Sequence, residues 1–195
     1  MCVVLRIVFT SLAILVLCAA PTQSTEASTL ETGWARLKEP GTVAIMRHAI
    51  APGTGDPGNF RIGDCSTQRS LDERGREQAR RIGAAVRASG VKIDRILSSQ
   101  WCRCVETAKL LEVGTVEQLA SLNSFFEERS TESAQTEALR AFLNRLSDDE
   151  TVLLVTHQVN ITALTGVFPA SGEVVLFRIG ADGTPTVLER IRTGS

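Results

Sequence analysis

Histidine is scarce in this chain, with two residues in 195, and cysteine offers only one close pair, Cys102-x-Cys104. Without a second such pair, that scarcity argues against a tetrahedral zinc site, whose four ligands come in recognisable spacings. An excess of charge of either sign is also lacking. The 21 basic and 22 acidic residues leave a net charge of −1 and a pI near 6.2, which removes the electrostatic case for bulk nucleic-acid binding. There is no acidic or basic tail, no internal repeat and no extended low-complexity tract. The length leaves no room for a second domain, while the 43% hydrophobic content supports one real core. The glycine-rich string from Pro52 to Gly58 lacks the Gly-Lys-Ser/Thr ending of a P-loop. Two readings of that string stand: a turn-rich surface loop, or a loop lining a phosphate, with Thr54 in reach.

What is present begins with the placement of the two histidines. Each ends a short apolar run, Val43-Ala44-Ile45-Met46-Arg47-His48 and Val152-Leu153-Leu154-Val155-Thr156-His157. Such runs, without polar alternation, read as strands buried on both faces of a parallel sheet. Ligands of open α/β sheets bind at the carboxyl ends of these strands, so two remote segments would deliver one imidazole each to one edge.

The N-terminus is a separate piece. After Arg6, the apolar stretch Ile7 to Leu17 has the length of a signal-peptide core and is too short to span a bilayer comfortably. Residues 1–27 therefore read as a signal peptide, leaving 28–195 as the mature domain, periplasmic or secreted, with no stable membrane span after processing. Thr25-Glu26-Ala27 fits the small-x-small cleavage pattern, while Cys18 makes a lipoprotein anchor the minor alternative. Export would leave Cys65, Cys102 and Cys104, among which an oxidising compartment permits one disulfide. Residues two apart on a helix do not face each other, so a bridge would join Cys65 to Cys102 or to Cys104 and leave one thiol over; the alternative is three buried free thiols.

Strands and helices alternate downstream. Ser70-Leu71-Asp72-Glu73 has the form of a capping box, and Ala79, Ile82, Gly83 and Val86 repeat at helical spacing until Gly90. Asp94 to Ser98 reads as a strand, followed by a helix from Trp101 or Cys102 to Leu111 or Glu112. Val116 to Leu119 reads as a short strand, and a helix after Thr131 buries Leu139, Phe142, Leu143 and Leu146. Val174 to Ile179 and Thr186 to Ile191 read as a hairpin of alternating strands. The expected fold is an α/β three-layer sandwich, a mostly parallel central sheet flanked by helices with a C-terminal hairpin.

Arg47-His48-Ala49, the segment Ser98-Ser99-x-x-x-Arg103-x-x-Glu106-Thr107-Ala108, and Val155-Thr156-His157 together resemble the histidine phosphatase superfamily, branch 1, which includes the phosphoglycerate mutases. Leu71-x-x-x-Gly75-x-x-Gln78-Ala79 fits that family's first helix. The resemblance implies a hydrolase without cofactor or metal, acting on a small phosphorylated substrate. It makes His48 the nucleophile that forms a phosphohistidine, Arg47 and Arg103 the planar clamp on the phosphoryl oxygens, and His157 a second phosphate contact that donates a hydrogen bond. Gln158 stands where one branch of the family carries an acid, and Gln cannot donate as one. The proton for an alkoxide leaving group then falls to Glu127 or Glu128, the acidic pair beside Phe125 and Phe126, or both are ordinary solvated charges. The substrate class suggested is a sugar phosphate or an envelope glycan phosphate. A phosphohistidine protein phosphatase is the enzymatic alternative, and a phospho-ligand-binding module without turnover the non-enzymatic one. Oligomeric state is not legible.

Overall fold

Along β1, Val43–Arg47, successive side chains face opposite ways and both faces are apolar. Val43 and Ile45 join one buried cluster, and Ala44 and Met46 join another. A strand of this kind must lie between two layers. The computed structural model, which describes residues 33–193, shows those layers, and the leader expected over 1–27 lies outside the described residues. The six-stranded sheet runs in the order β3 (Val116–Gln118), β2 (Arg95–Ser98), β4 (Val152–Thr156), β1, β5 (Val174–Ile179), β6 (Pro185–Ile191). The first four are parallel, and β5 and β6 add an antiparallel hairpin on the β1 side. This is the α/β sandwich expected.

Two helices cover each face. On one side α1 (Glu73–Ala88) and α2 (Cys102–Leu111) contribute Ile82, Val86, Cys104, Ala108 and Leu111 to the core. On the other, α3 (Glu132–Leu143) and α4 (Gln158–Thr165) contribute Leu139, Leu143, Ile161 and Leu164. Two glycines of α1 allow close backbone approach. A Cβ on Gly83 would lie 1.9 Å from the Leu111 carbonyl oxygen, and one on Gly75 would lie 2.0 Å from that of Ile50. The second contact seats α1 against the chain two residues beyond His48.

Several local expectations need correction. The cap of α1 is Asp72, whose carboxylate accepts from the Gly75 N–H at 2.8 Å; the helix starts at Glu73, so Ser70 lies too far upstream to cap it. The hairpin does not alternate in β5, where Val174 to Phe177 are all buried because the strand pairs with β1 between both helix layers. Phe142 and Leu146 are only partly buried. Between the two disulfides left open by the sequence, the bond joins Cys65 to Cys102, and Cys104 is the free, buried thiol. Burial pushes that thiol up to about 12, so it stays protonated.

Candidate active site

Because β1 and β4 are parallel neighbours with Arg47 opposite Thr156, the next residue of each strand leaves the sheet at the same edge. The His48 and His157 rings meet there edge to face, with centroids 5.5 Å apart, and both are buried. The His48 Nδ1 lies 2.7 Å from the Ala49 carbonyl oxygen. A carbonyl only accepts, so Nδ1 carries the proton and Nε2 keeps its lone pair. The same Ala49 is fixed from its other side, where its N–H donates to Thr107 Oγ1 at 3.1 Å. Burial first, and then the charge of Arg103, hold the His48 pKa well below 6.5; the same two causes act on His157. Both rings are neutral near pH 7.

His157 is held by two partners. Its Nε2 lies 2.9 Å from Ser99 Oγ, and its Nδ1 lies 3.3 Å from Arg103 Nη2, which can only donate. The lone pair therefore faces Arg103 and the proton faces the serine. Behind them, Asn123 Oδ1 accepts from the Gln100 N–H at 2.9 Å, and Asn160 Nδ2 donates to the Asn123 carbonyl at 2.7 Å. Asn160 thus ties the start of α4 to the loop after β3.

Three arginines converge on the histidines. Arg103, on the first turn of α2, donates through Nη1 to both Asp56 oxygens at 2.8 and 3.1 Å, while its buried Nε has no partner. Arg47 donates through Nη1 to the Pro169 carbonyl at 3.1 Å, and its Nε is likewise buried without a partner. Arg69 donates to the loop carbonyls of Gly55, at 2.9 Å, and Ala51. Burial first, then the charge of Arg103, lowers the pKa of both Arg47 and Arg69. Leaving a buried N–H unpaired costs about 1–3 kcal/mol. Two such donors, each on a charged group, suit an arriving anion.

These groups line a cleft of about 660 Å³ that contains Arg47, His48, Arg103 and His157 in its wall and Glu127 and Glu128 at its exposed rim. All six residues expected from the sequence share the cleft. Glu127 lies close against the glycine-rich loop, where a Cβ on Gly55 would come within 2.6 Å of its carboxylate oxygen, and the Glu128 carboxylate accepts from Ser130 Oγ. Thr54 through Gly58 of the glycine-rich string line this cleft. Sequence reasoning missed Asp56, and it left Arg69 and Trp101 unassigned although both line the cleft. It also quoted Ser99 and Thr107 within a motif without giving either a task. Among the described residues, no group of three or more His, Cys, Asp or Glu side chains is arranged to hold a metal ion.

The sequence model of the histidine phosphatase superfamily (branch 1) matches residues 44–137. Over those residues the chain is similar to this superfamily. The match ends before His157. Solved structures of similar fold include the protein histidine phosphatase SixA complexed with tungstate, at 19% identity and a TM-score of 0.56, covering 78% of this chain and 97% of that one. The α-ribazole phosphatase from Shigella flexneri matches at 19% identity and a TM-score of 0.55, over 78% and 96%. Phosphoserine phosphatase from Entamoeba histolytica, in complex with 3-phosphoglyceric acid, matches at 14% identity and a TM-score of 0.54, over 77% and 96%. At these identities the likeness is one of fold. No curated protein sequence matches. The likeness to this superfamily supports a hydrolase, and the buried Arg103, His48 and His157 are of the kind such chemistry needs.

Proposed function

We propose that the protein hydrolyses small phosphomonoesters, sugar phosphates or envelope glycan phosphates, through a phosphohistidine at His48. The observation that carries this reading is the Nδ1–H bond to Ala49, which leaves the Nε2 lone pair of a neutral imidazole beside two arginines with unpaired buried N–H groups. In the first step Nε2 attacks phosphorus and the bond to the bridging oxygen breaks. Arg47 and Arg103 offer their free N–H groups to the equatorial oxygens. His157, whose Nδ1 accepts from Arg103 Nη2 and whose Nε2 faces Ser99, helps hold the Arg103 guanidinium beside the phosphoryl group. Glu127 or Glu128, at the rim, gives its proton to the departing alkoxide. In the second step that carboxylate takes a proton from water, whose oxygen attacks phosphorus and releases phosphate and free His48.

The reading places the enzyme in the periplasm or outside the cell. The leader over 1–27 and the Cys65–Cys102 bond, which an oxidising compartment favours, both support export. Fold likeness to SixA supports phosphohistidine hydrolysis as the second reading, since an imidazole leaves without needing a strong acid. A panel of alkyl, sugar and aryl phosphates beside a phosphohistidine peptide separates the two. The proposal expects kcat/KM highest on a sugar phosphate. Preference for the peptide would favour the second reading, and binding of every compound without turnover would leave a phospho-ligand-binding module.

A further inference from the structure

The glycine-rich loop after β1 places a carboxylate where the arginine clamp closes. Asp56 has a side chain only 8% exposed, and each of its oxygens is engaged twice. Oδ1 accepts from Arg103 Nη1 at 2.8 Å and from the Arg69 N–H at 3.0 Å; Oδ2 accepts from Arg103 Nη1 at 3.1 Å and from Trp101 Nε1 at 3.0 Å. We propose that Asp56 is a positioning residue, which holds the Arg103 guanidinium by Nη1 so that the unpaired Nε is presented to the phosphoryl group. This rests on the phosphatase reading above.

Three observations support it. The first is geometric, because a guanidinium is planar: engaging Nη1 with one carboxylate sets the plane in which the other N–H groups lie. Arg103 Nε, in that plane, is buried and has no partner. The second is electrostatic. Asp56 stands among Arg47, Arg69 and Arg103 and offsets one of their three positive charges, while Glu127 and Glu128 lie at the exposed rim of the same cleft. The third concerns rigidity. The loop is fastened to the start of α2 by the Cys65–Cys102 bond, by the Cys102 N–H donating to Gln68 Oε1 at 2.9 Å, and by Phe60 stacked on Trp101 at 4.8 Å.

Other tasks for Asp56 fit less well. Burial alone would raise its pKa, but Arg103, the Arg69 N–H and Trp101 together hold it below the ordinary carboxylate value, so it carries no proton to give at neutral pH. As a plug displaced by substrate it would leave three donor groups behind and take a buried charge off its partner, a cost of several kcal/mol.

The test is Asp56→Asn, which keeps the shape but removes the charge and replaces one accepting oxygen by a donor. Wild-type turnover of an aryl phosphate is measured first; its absence would overturn the phosphatase reading, and this proposal with it. Given an active wild type, the expected result is a fall in kcat of about 10- to 100-fold with KM changed by less than about threefold. A kcat kept or raised, with tighter inhibition by inorganic phosphate, would make Asp56 a competitor of substrate and overturn the proposal alone. So would an unchanged kcat with a lowered melting temperature, which marks a purely structural contact. Should Asp56→Asn fail to fold, Trp101→Phe removes only the indole donor to Oδ2. It is expected to lower kcat by about threefold to tenfold, and an unchanged kcat there overturns the proposal equally.

Discussion

The cleft has two walls of different origin. One is the sheet edge, where Arg47, His48 and His157 follow from strand register and Arg103 from the turn into α2. The other is made of loops: residues 51–69 bring Asp56 and Arg69, and the stretch before α3 brings Glu127 and Glu128. On the edge, ladder hydrogen bonds between buried strands set each position; on the loop wall, a disulfide, a ring stack and scattered side-chain bonds do so. On the proposed mechanism the edge carries the phosphoryl chemistry, and the loops carry leaving-group handling and clamp alignment.

Replacing Arg103 by Lys attacks the edge. Charge is kept but the fork is lost, and kcat/KM should fall by about two orders of magnitude on alkyl and aryl phosphates alike. A change within threefold would mean that Arg103 only packs. Glu127→Gln and Glu128→Gln attack the loop wall. One of them should lower alkyl phosphate hydrolysis by about two orders of magnitude while sparing aryl phosphates, whose leaving groups depart unaided. Neutral behaviour of both variants on both substrates would remove the pair from the reaction.

Removing the disulfide by Cys65→Ser with Cys102→Ser should weaken the loop wall's anchorage more than its chemistry. Denaturant titration should show a loss of about 2–4 kcal/mol, with kcat on an aryl phosphate changed by less than about tenfold. A larger loss of kcat than of stability would place the loop wall inside the chemical step. Stability also depends on pH. Both histidines are neutral when folded, while their unfolded forms protonate below 6.5, so the unfolded chain binds more protons and stability falls as pH drops. Each contributes a slope of about 1.4 kcal/mol per pH unit there. Asp56 and Glu173, whose pKa values are lowered, lose stability in the same direction at more acid pH. Equal denaturation midpoints at pH 7.5 and pH 5 would contradict the buried, neutral histidines.

The same contrast explains what the sequence made legible. Val43 to Met46 and Val152 to Val155 announce buried parallel strands by composition, and a residue after such a strand has few places to point, so His48 and His157 could be assigned to one edge from the sequence. Helix α1 was readable from Ala79, Ile82, Gly83 and Val86, though its cap was misplaced because Ser70 and Asp72 are both good capping residues. Asp56 was not readable. Its partners Arg103 and Trp101 lie more than 40 residues away, and no local pattern distinguishes an aspartate that turns into a pocket from one that closes a surface turn. Ser99 was hidden for the same reason, since only the fold brings it to His157 Nε2.

The central claim is that Nε2 of His48 takes the phosphoryl group. Rapid acid-sparing quench of wild type with a phosphorus-labelled aryl phosphate, followed by peptide mapping, tests it most directly. The account predicts an acid-labile phosphoramidate on the peptide containing His48, attached at Nε2, and no label and no turnover above background in His48→Ala. Turnover retained in His48→Ala, or label found on any residue other than His48, would contradict it.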